Sequence, residues 1–306
     1  MATRTFKPSR QIIPISDNIR AKYKIEPTNQ RPKFVRLLLS GDGGQGKTSI
    51  IGTASKRTKI NDEWTSSHCN VLLIEYDPDG DDTIVSMGAE VDRIQTPTEN
   101  QLLDILKACS TSEEFNQYDV IAIDAYNRLY DIEIDTSMKT GQTLAKYTRT
   151  DLEIPEIQDY NRLYKRGRMI NDYIHAIKKH IIVTCIISLK DKPLDMWKEK
   201  KDRDQIISLL LDGKMAHLLS TQFSLHGIVT KEGQGKNIHV RTSFSQYNSE
   251  AKTRFRMEHT PLDVTFPKIL EMIGIQDPSF NKIHWKQDSN GFLSHLGNIQ
   301  ECTECK

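Results

Sequence analysis

The sequence predicts an α/β protein whose mostly parallel sheet carries helices on both faces. Three observations lead there. Short runs at Phe34–Leu39, Val71–Ile74, within YDVIAIDAY and at Ile181–Ile187 are apolar without alternation, as in strands covered on both faces. Helical patterns separate several of them. PTENQLLDILKACS places Leu102, Leu103, Ile105 and Leu106 on one side, and the stretch from Ile157 to Lys179 does the same with Leu163, Ile170, Ile174 and Ile177. The third observation is the glycine-rich stretch GDGGQGKTS, which joins the first strand to a helix opening near Lys47.

Bulk properties narrow the setting. At 306 residues the chain suits one large α/β domain with extensions, or two modest domains. Lys and Arg number 42 against 41 Asp and Glu, a net charge of +1, so a nucleic-acid site must be a local patch and not a global field. Five cysteines without regular spacing fit a reducing cytoplasm. No apolar run approaches the roughly 20 residues that cross a bilayer, and MATRTFKPSR lacks a signal peptide's apolar core. The expectation is a soluble cytoplasmic protein with no membrane partner.

Composition divides the chain into three parts. Residues 1–33, interrupted by Pro8, Pro14, Pro27 and Pro32, read as an N-terminal arm ordered against a neighbour. Residues 34–275 hold the patterned core. Within it, DKPLDMWKEKKDRDQ is charged and loop-like, and HGIVTKEGQGKNIHVRTSF reads as a C-terminal β-hairpin extension. KEGQGKN, at 231–237, mimics a phosphate loop but has no helix after it and reads as the hairpin's turn. A short apolar helix is expected near Phe266–Ile275. Residues 276–306 form a tail without clear periodicity. There Cys302 and Cys305, with His295 upstream, fall short of the four ligands zinc usually takes.

The strongest motif is Gly41-Asp42-Gly43-Gly44-Gln45-Gly46-Lys47-Thr48-Ser49, which fits the P-loop pattern in full. Its glycines let backbone N–H groups curl around phosphates, and the following helix adds its dipole. Lys47 is placed to reach the β- and γ-phosphates of a nucleoside triphosphate and Thr48 to hold Mg²⁺. Asp124 ends a buried strand, where a carboxylate orients that metal. VLLIEYDPDG brings Glu75 and Asp77 to another strand's carboxyl end, and one of them, Asp77 by preference, is expected to position the attacking water.

This order of motifs resembles the RecA-like P-loop ATPases, in particular the phage-encoded single-domain recombinases. The resemblance spans about residues 34–256. There the second strand usually ends Asp-x-Glu, and here it ends Glu75-Tyr76-Asp77. The resemblance implies ATP and Mg²⁺ as cofactors and a polar γ-phosphate sensor ending the fourth strand, a place that Ser188 takes. It also implies a homo-oligomer in which Lys252 and Arg254 of Ala251-Lys252-Thr253-Arg254 reach the neighbouring subunit's ATP, coupling hydrolysis to assembly. ATP over GTP follows from the resemblance and from the lack of an Asn-Lys-x-Asp motif.

The expected substrate is single-stranded DNA, in annealing or strand exchange during phage recombination or replication, with a single-strand-binding or replication protein as a further partner. RecA-like proteins bind strands through loops after the third and fourth strands, here about Asn127–Pro155 and Lys190–Gln205. The first suits a strand-binding loop or a lid. The second offers Lys190, Lys192, Lys198, Lys200, Lys201 and Arg203 around Trp197, cations for phosphate with a platform for stacking. Its five interspersed acids suit a solvated loop equally well. A weaker resemblance to ParA/MinD-type ATPases lacks their signature lysine, since Asp42 stands there. The alternative function is a nucleotide-dependent switch that recruits a protein partner, as helicase loaders and positioning ATPases do.

Overall fold

Leu37, Leu38 and Leu39 show how the sheet is built. Neighbouring side chains on a strand point to opposite faces. Leu38 packs with Leu72, Ile74, Ile121, Ile123 and Val183 on one face. Leu37 and Leu39 pack with Val71, Leu73, Val120 and Ile182 on the other. All three leucines are fully buried, and truncating any of them to Ala costs about 2–5 kcal/mol.

The computed structural model describes residues 34–55, 58–60, 63–66, 69–77, 80–144, 154–191, 205–211, 214–233, 238–245, 249–255, 257, 259–275, 283–287 and 293–298. In chain order the elements are β1 (Arg36–Ser40), α1 (Lys47–Gly52), β2 (Thr58–Ile60), β3 (Glu63–Ser66), β4 (Val71–Glu75), α2 (Asp81–Ser86), β5 (Asp92–Gln95) and α3 (Glu99–Thr111). Then follow β6 (Val120–Asp124), α4 (Tyr126–Leu144), α5 (Ile157–Ala176), β7 (His180–Cys185), β8 (Ile187–Asp191), β9 (Gln205–Leu209) and α6 (Lys214–Gln222). The last are β10 (Leu225–Glu232), β11 (His239–Ser243), β12 (Lys252–Thr253), α7 (Phe266–Met272), β13 (Ile283–Gln287) and β14 (Leu293–Asn298).

The main sheet runs β11-β10-β1-β7-β6-β4-β5. From β10 to β5 every pairing is parallel. β11 and β12 lie antiparallel to β10 at one edge. Helices α3, α4, α5 and α6 cover one face, and α1, α2 and α7 the other. The expected α/β architecture, with its hairpin extension, is the one observed. Local signals place the helices: Thr98 and Gln101 form a capping box at α3, and Glu156 and Asp159 do so at α5.

Three expectations change. Residues 127–144, expected within a loop, belong to the 19-residue helix α4. The run Ile181–Ile187 is not one strand: β7 stops at Cys185, where Ile186 N–H turns to the Asn127 side chain at 3.3 Å and its carbonyl accepts Leu210 N–H at 2.8 Å. The chain then leaves the sheet as the antiparallel ribbon β8–β9. Finally, the C-terminal stretch supplies β13 and β14, which extend β3 and β2 into a sheet ordered β14-β13-β3-β2. Among the described residues no helix is long and apolar enough to cross a membrane.

Candidate functional site

The parallel register carries four carboxyl ends to one place. Ser40 ends β1 beside Cys185 at the end of β7, while Asp124 of β6 lies level with Glu75 of β4. In open α/β sheets, ligands gather outside these ends. Gly41 N–H closes the seam between β1 and β7 by donating to the Cys185 carbonyl at 3.2 Å.

The loop between β1 and α1 owes its course to glycine. Gly44 and Gly46 have φ of 71° and 97°, left-handed values that a side chain resists. At Gly41 a Cβ would lie 2.4 Å from the Val229 carbonyl of β10. The β10–β11 hairpin therefore leans on the loop: the Val240 side chain stands 3.2 Å from a Cβ at Gly46, and Lys231 N–H donates to Gln45 Oε1. Asp42, Gly43 and Gly44 face solvent.

Lys47 folds beneath this arch and is largely buried. Its Nζ donates to the carbonyls of Gly41 at 2.9 Å and Asp42 at 2.8 Å. Burial lowers its pKa, while Asp124, Cys185, Asp42 and Asp77 pull it back. Next to it, Thr48 Oγ1 donates to Asp124 Oδ2 at 2.6 Å. The other oxygen of Asp124 accepts from Thr184 Oγ1 of β7. Burial and the nearby Asp77 charge push the Asp124 pKa upward, against both hydroxyls and Lys47. A Thr hydroxyl beside a buried carboxylate is an all-oxygen donor set suited to Mg²⁺. Thr48 and Asp124 fit the metal role the sequence suggests.

The two acids after β4 part company. Glu75 is fully buried and its Oε2 pairs with Arg93 of β5 at 3.3 Å. Asp77 is exposed, yet its charge reaches both Lys47 and Asp124. Ser188, expected to end the strand next to the phosphates, instead lies in β8, its hydroxyl donating to Leu209 O at 3.4 Å. The hydroxyl that β7 presents to Asp124 belongs to Thr184. The signal for it was the lone hydroxyl in HIIVTC, at the register position beside Asp124. Also unforeseen was Cys185, whose thiol is pushed up to about 12 by burial, against the pull of Lys47.

Lys252 and Arg254 sit elsewhere. Lys252 pairs with His226 of β10, and Arg254 N–H donates to the Ser224 carbonyl. Ile228 is the β10 residue level with Ser40. Ser224 thus lies about 13 Å from the loop's level, at roughly 3.3 Å per residue, toward the strands' amino ends. Arg254 is exposed there, with one guanidinium nitrogen 3.3 Å from Thr221 O. Arg36 is close by, and both cations depress His175 in addition to its burial. Lys190 donates to the Leu211 carbonyl. Lys192, Trp197, Lys198, Lys200, Lys201, Arg203, Cys302 and Cys305 lie outside the described residues, as does the arm 1–33.

No protein-family model matches the chain, and no curated protein does. The fold is a mostly parallel α/β sheet whose first strand leads through a glycine-rich loop into a helix. Two solved structures are similar over most of the chain. One is the KaiC-like protein PH0186 from Pyrococcus horikoshii OT3, with 11% identity, 86% of this chain and 91% of that chain covered, and a TM-score of 0.39. The other is the flagellar accessory protein FlaH from Methanocaldococcus jannaschii, with 13% identity, 81% and 96% covered, and a TM-score of 0.34. Values this low bear on neither substrate nor partner.

Proposed function

We propose that this chain is a Mg²⁺-dependent ATPase that works as an oligomer, each active site being finished by the next subunit. The observation that carries the ATPase reading is the convergence of Lys47, Thr48, Asp124 and Thr184 at the carboxyl ends of β1, β6 and β7. Lys47 and the loop's N–H groups bind the β- and γ-phosphates. Thr48 and Asp124 hold Mg²⁺, which supplies charge neutralisation at the phosphates. Asp77 orients water, because Glu75 is committed to Arg93 whereas Asp77 is exposed beside the site. Ser188 and Lys190 are placed to act on the β8–β9 ribbon and not on the γ-phosphate.

Trans action by Lys252 and Arg254 is supported by their position. Arg254 stands toward the amino edge of the sheet near Arg36, about 13 Å from its own loop's level at roughly 3.3 Å per residue, and with Lys252 forms a cationic group a neighbour's ATP could meet. The substrate reading is single-stranded DNA, as in the phage recombinases. Its support is the charged stretch 192–204, whose cations surround Trp197 and which the paired strands β8 and β9 bracket.

ATP turnover at low salt, with and without single-stranded DNA, tests both levels. Arg254→Ala is expected to lower turnover about a thousandfold while nucleotide still binds, and DNA to raise wild-type turnover. If DNA changes nothing while Arg254→Ala is inactive, the ATPase stands and its output is a protein partner, as in a switch. If Arg254→Ala turns over normally, trans action is wrong.

A further inference from the structure

The imidazole of His226 lies inside the sheet, 1% exposed, between the phosphate loop's strand and the strand of Lys252. Across β10 its register partners are Leu38 of β1 and Lys252 of β12. Its Nε2 meets the hydroxyl of Ser40 at 2.8 Å, the last residue before Gly41. Its Nδ1 faces Ser220 Oγ at 3.3 Å. Ser220 Oγ donates to the Glu250 carbonyl at 3.4 Å. A buried neutral imidazole has one donor and one acceptor. The Ser220 hydroxyl gives its one proton to the carbonyl, so its oxygen accepts from Nδ1–H, and Nε2 accepts from Ser40. Burial, with Lys252 nearby, holds the ring neutral by lowering its pKa to about 4. The chain of bonds has one direction, from Ser40 through His226 and Ser220 to the backbone at Glu250, two residues before Lys252. From there Glu250 N–H continues to the Ile207 carbonyl of β9 at 3.2 Å.

We infer that His226 is a positioning residue coupling the phosphate loop to the 249–254 segment, so that nucleotide held at one subunit sets how Lys252 and Arg254 are offered to the next. A shift of Ser40 on nucleotide binding moves the hydroxyl that Nε2 accepts from, and a close-packed interior transmits the displacement. The inter-subunit half rests on the trans reading above; the intramolecular half does not.

The test is amide hydrogen exchange with Mg²⁺ and the β,γ-imido analogue of ATP, on wild type, Ser40→Ala, His226→Asn and His226→Gln. Asn keeps a group near Nδ1 and loses the Ser40 contact, and Gln does the reverse. In wild type the analogue should slow exchange both at 41–50 and at 249–254, by about tenfold or more. In Ser40→Ala and in both His226 variants, protection at 41–50 should remain while the response at 249–254 disappears, with unchanged exchange in β4 and β6 showing that the sheet is intact. A wild-type response confined to 41–50 overturns the coupling, as does an undiminished response at 249–254 in Ser40→Ala. No protection anywhere defeats both the coupling and the nucleotide reading. Normal turnover by Arg254→Ala with the exchange coupling present defeats only the trans reading.

Discussion

The centre of the sheet and its β10 edge carry the same kinds of charged group and treat them in opposite ways. At the centre, Asp124 is clasped between Thr48 and Thr184, and Lys47 is tied to two carbonyls of its own loop. At the edge, Lys252 is half-buried on a two-residue strand, and Arg254 is exposed with a long bond to Thr221 O. The charged groups of the centre are buried and held by short bonds, whereas those of the edge are more exposed and more loosely tied. A buried site must satisfy its polar groups within the subunit. Lys252 and Arg254 stay available at the edge, as the proposed trans action requires. His226 and Ser40 join the two regions.

The largest expected effect that sharpens this contrast is at Asp124. Asp124→Asn should lower turnover by about a hundredfold or more, since the carboxylate's charge toward the metal is lost. It should not lower the unfolding free energy, because burial already disfavours that charge. A denaturant titration beside the turnover assay checks both. A destabilised variant would mean that the carboxylate serves the fold first.

The second prediction concerns a buried acid behind the site that the proposed chemistry does not use. Glu133 of α4 is 2% exposed, and burial raises its pKa from 4.5 to about 7. Between those values the folded state keeps a proton that the unfolded chain has released. The stability this group permits is therefore full below about pH 4.5 and is lost as pH rises through about 7. Glu133→Gln should stabilise the protein by on the order of 3 kcal/mol above pH 7 and by nothing below pH 4.5. Unfolding midpoints across that range decide it, and a pH-independent difference would contradict the burial account.

The smallest effect is at the loop. Gly46→Ala, at φ 97° and against Val240, should cost about 1–2 kcal/mol and weaken nucleotide binding in proportion. Equal loss at exposed Gly43, where a Cβ meets nothing within 4 Å, would show that the loop tolerates neither.

What could be read from the sequence follows the same division. Strands β1, β4 and β6 were legible because both their faces are apolar, and the P-loop because its glycines and Lys47 are required by geometry. Helix α4 was not. Its buried positions Tyr126, Leu129, Tyr130, Glu133 and Ser137 follow a helical period, but the last two are polar and hide it. The end of β7 was hidden because CIIS continues the apolar run, and the break depends on Asn127, distant in sequence. His226 lay within a predicted strand, and nothing local told that its ring would meet Ser40. Tertiary contacts set each of these, and a one-dimensional pattern carries little of them.

One mixing experiment tests directly whether the edge of one subunit completes the centre of another. Lys47→Ala and Arg254→Ala should each be inactive alone. Combined in a 1:1 mixture that reassembles at random, intact Lys47 sites meet intact Arg254 neighbours, and turnover should return to on the order of a quarter of wild type. A mixture that assembles yet stays as inactive as its components would show that Arg254 serves its own subunit and would contradict trans action.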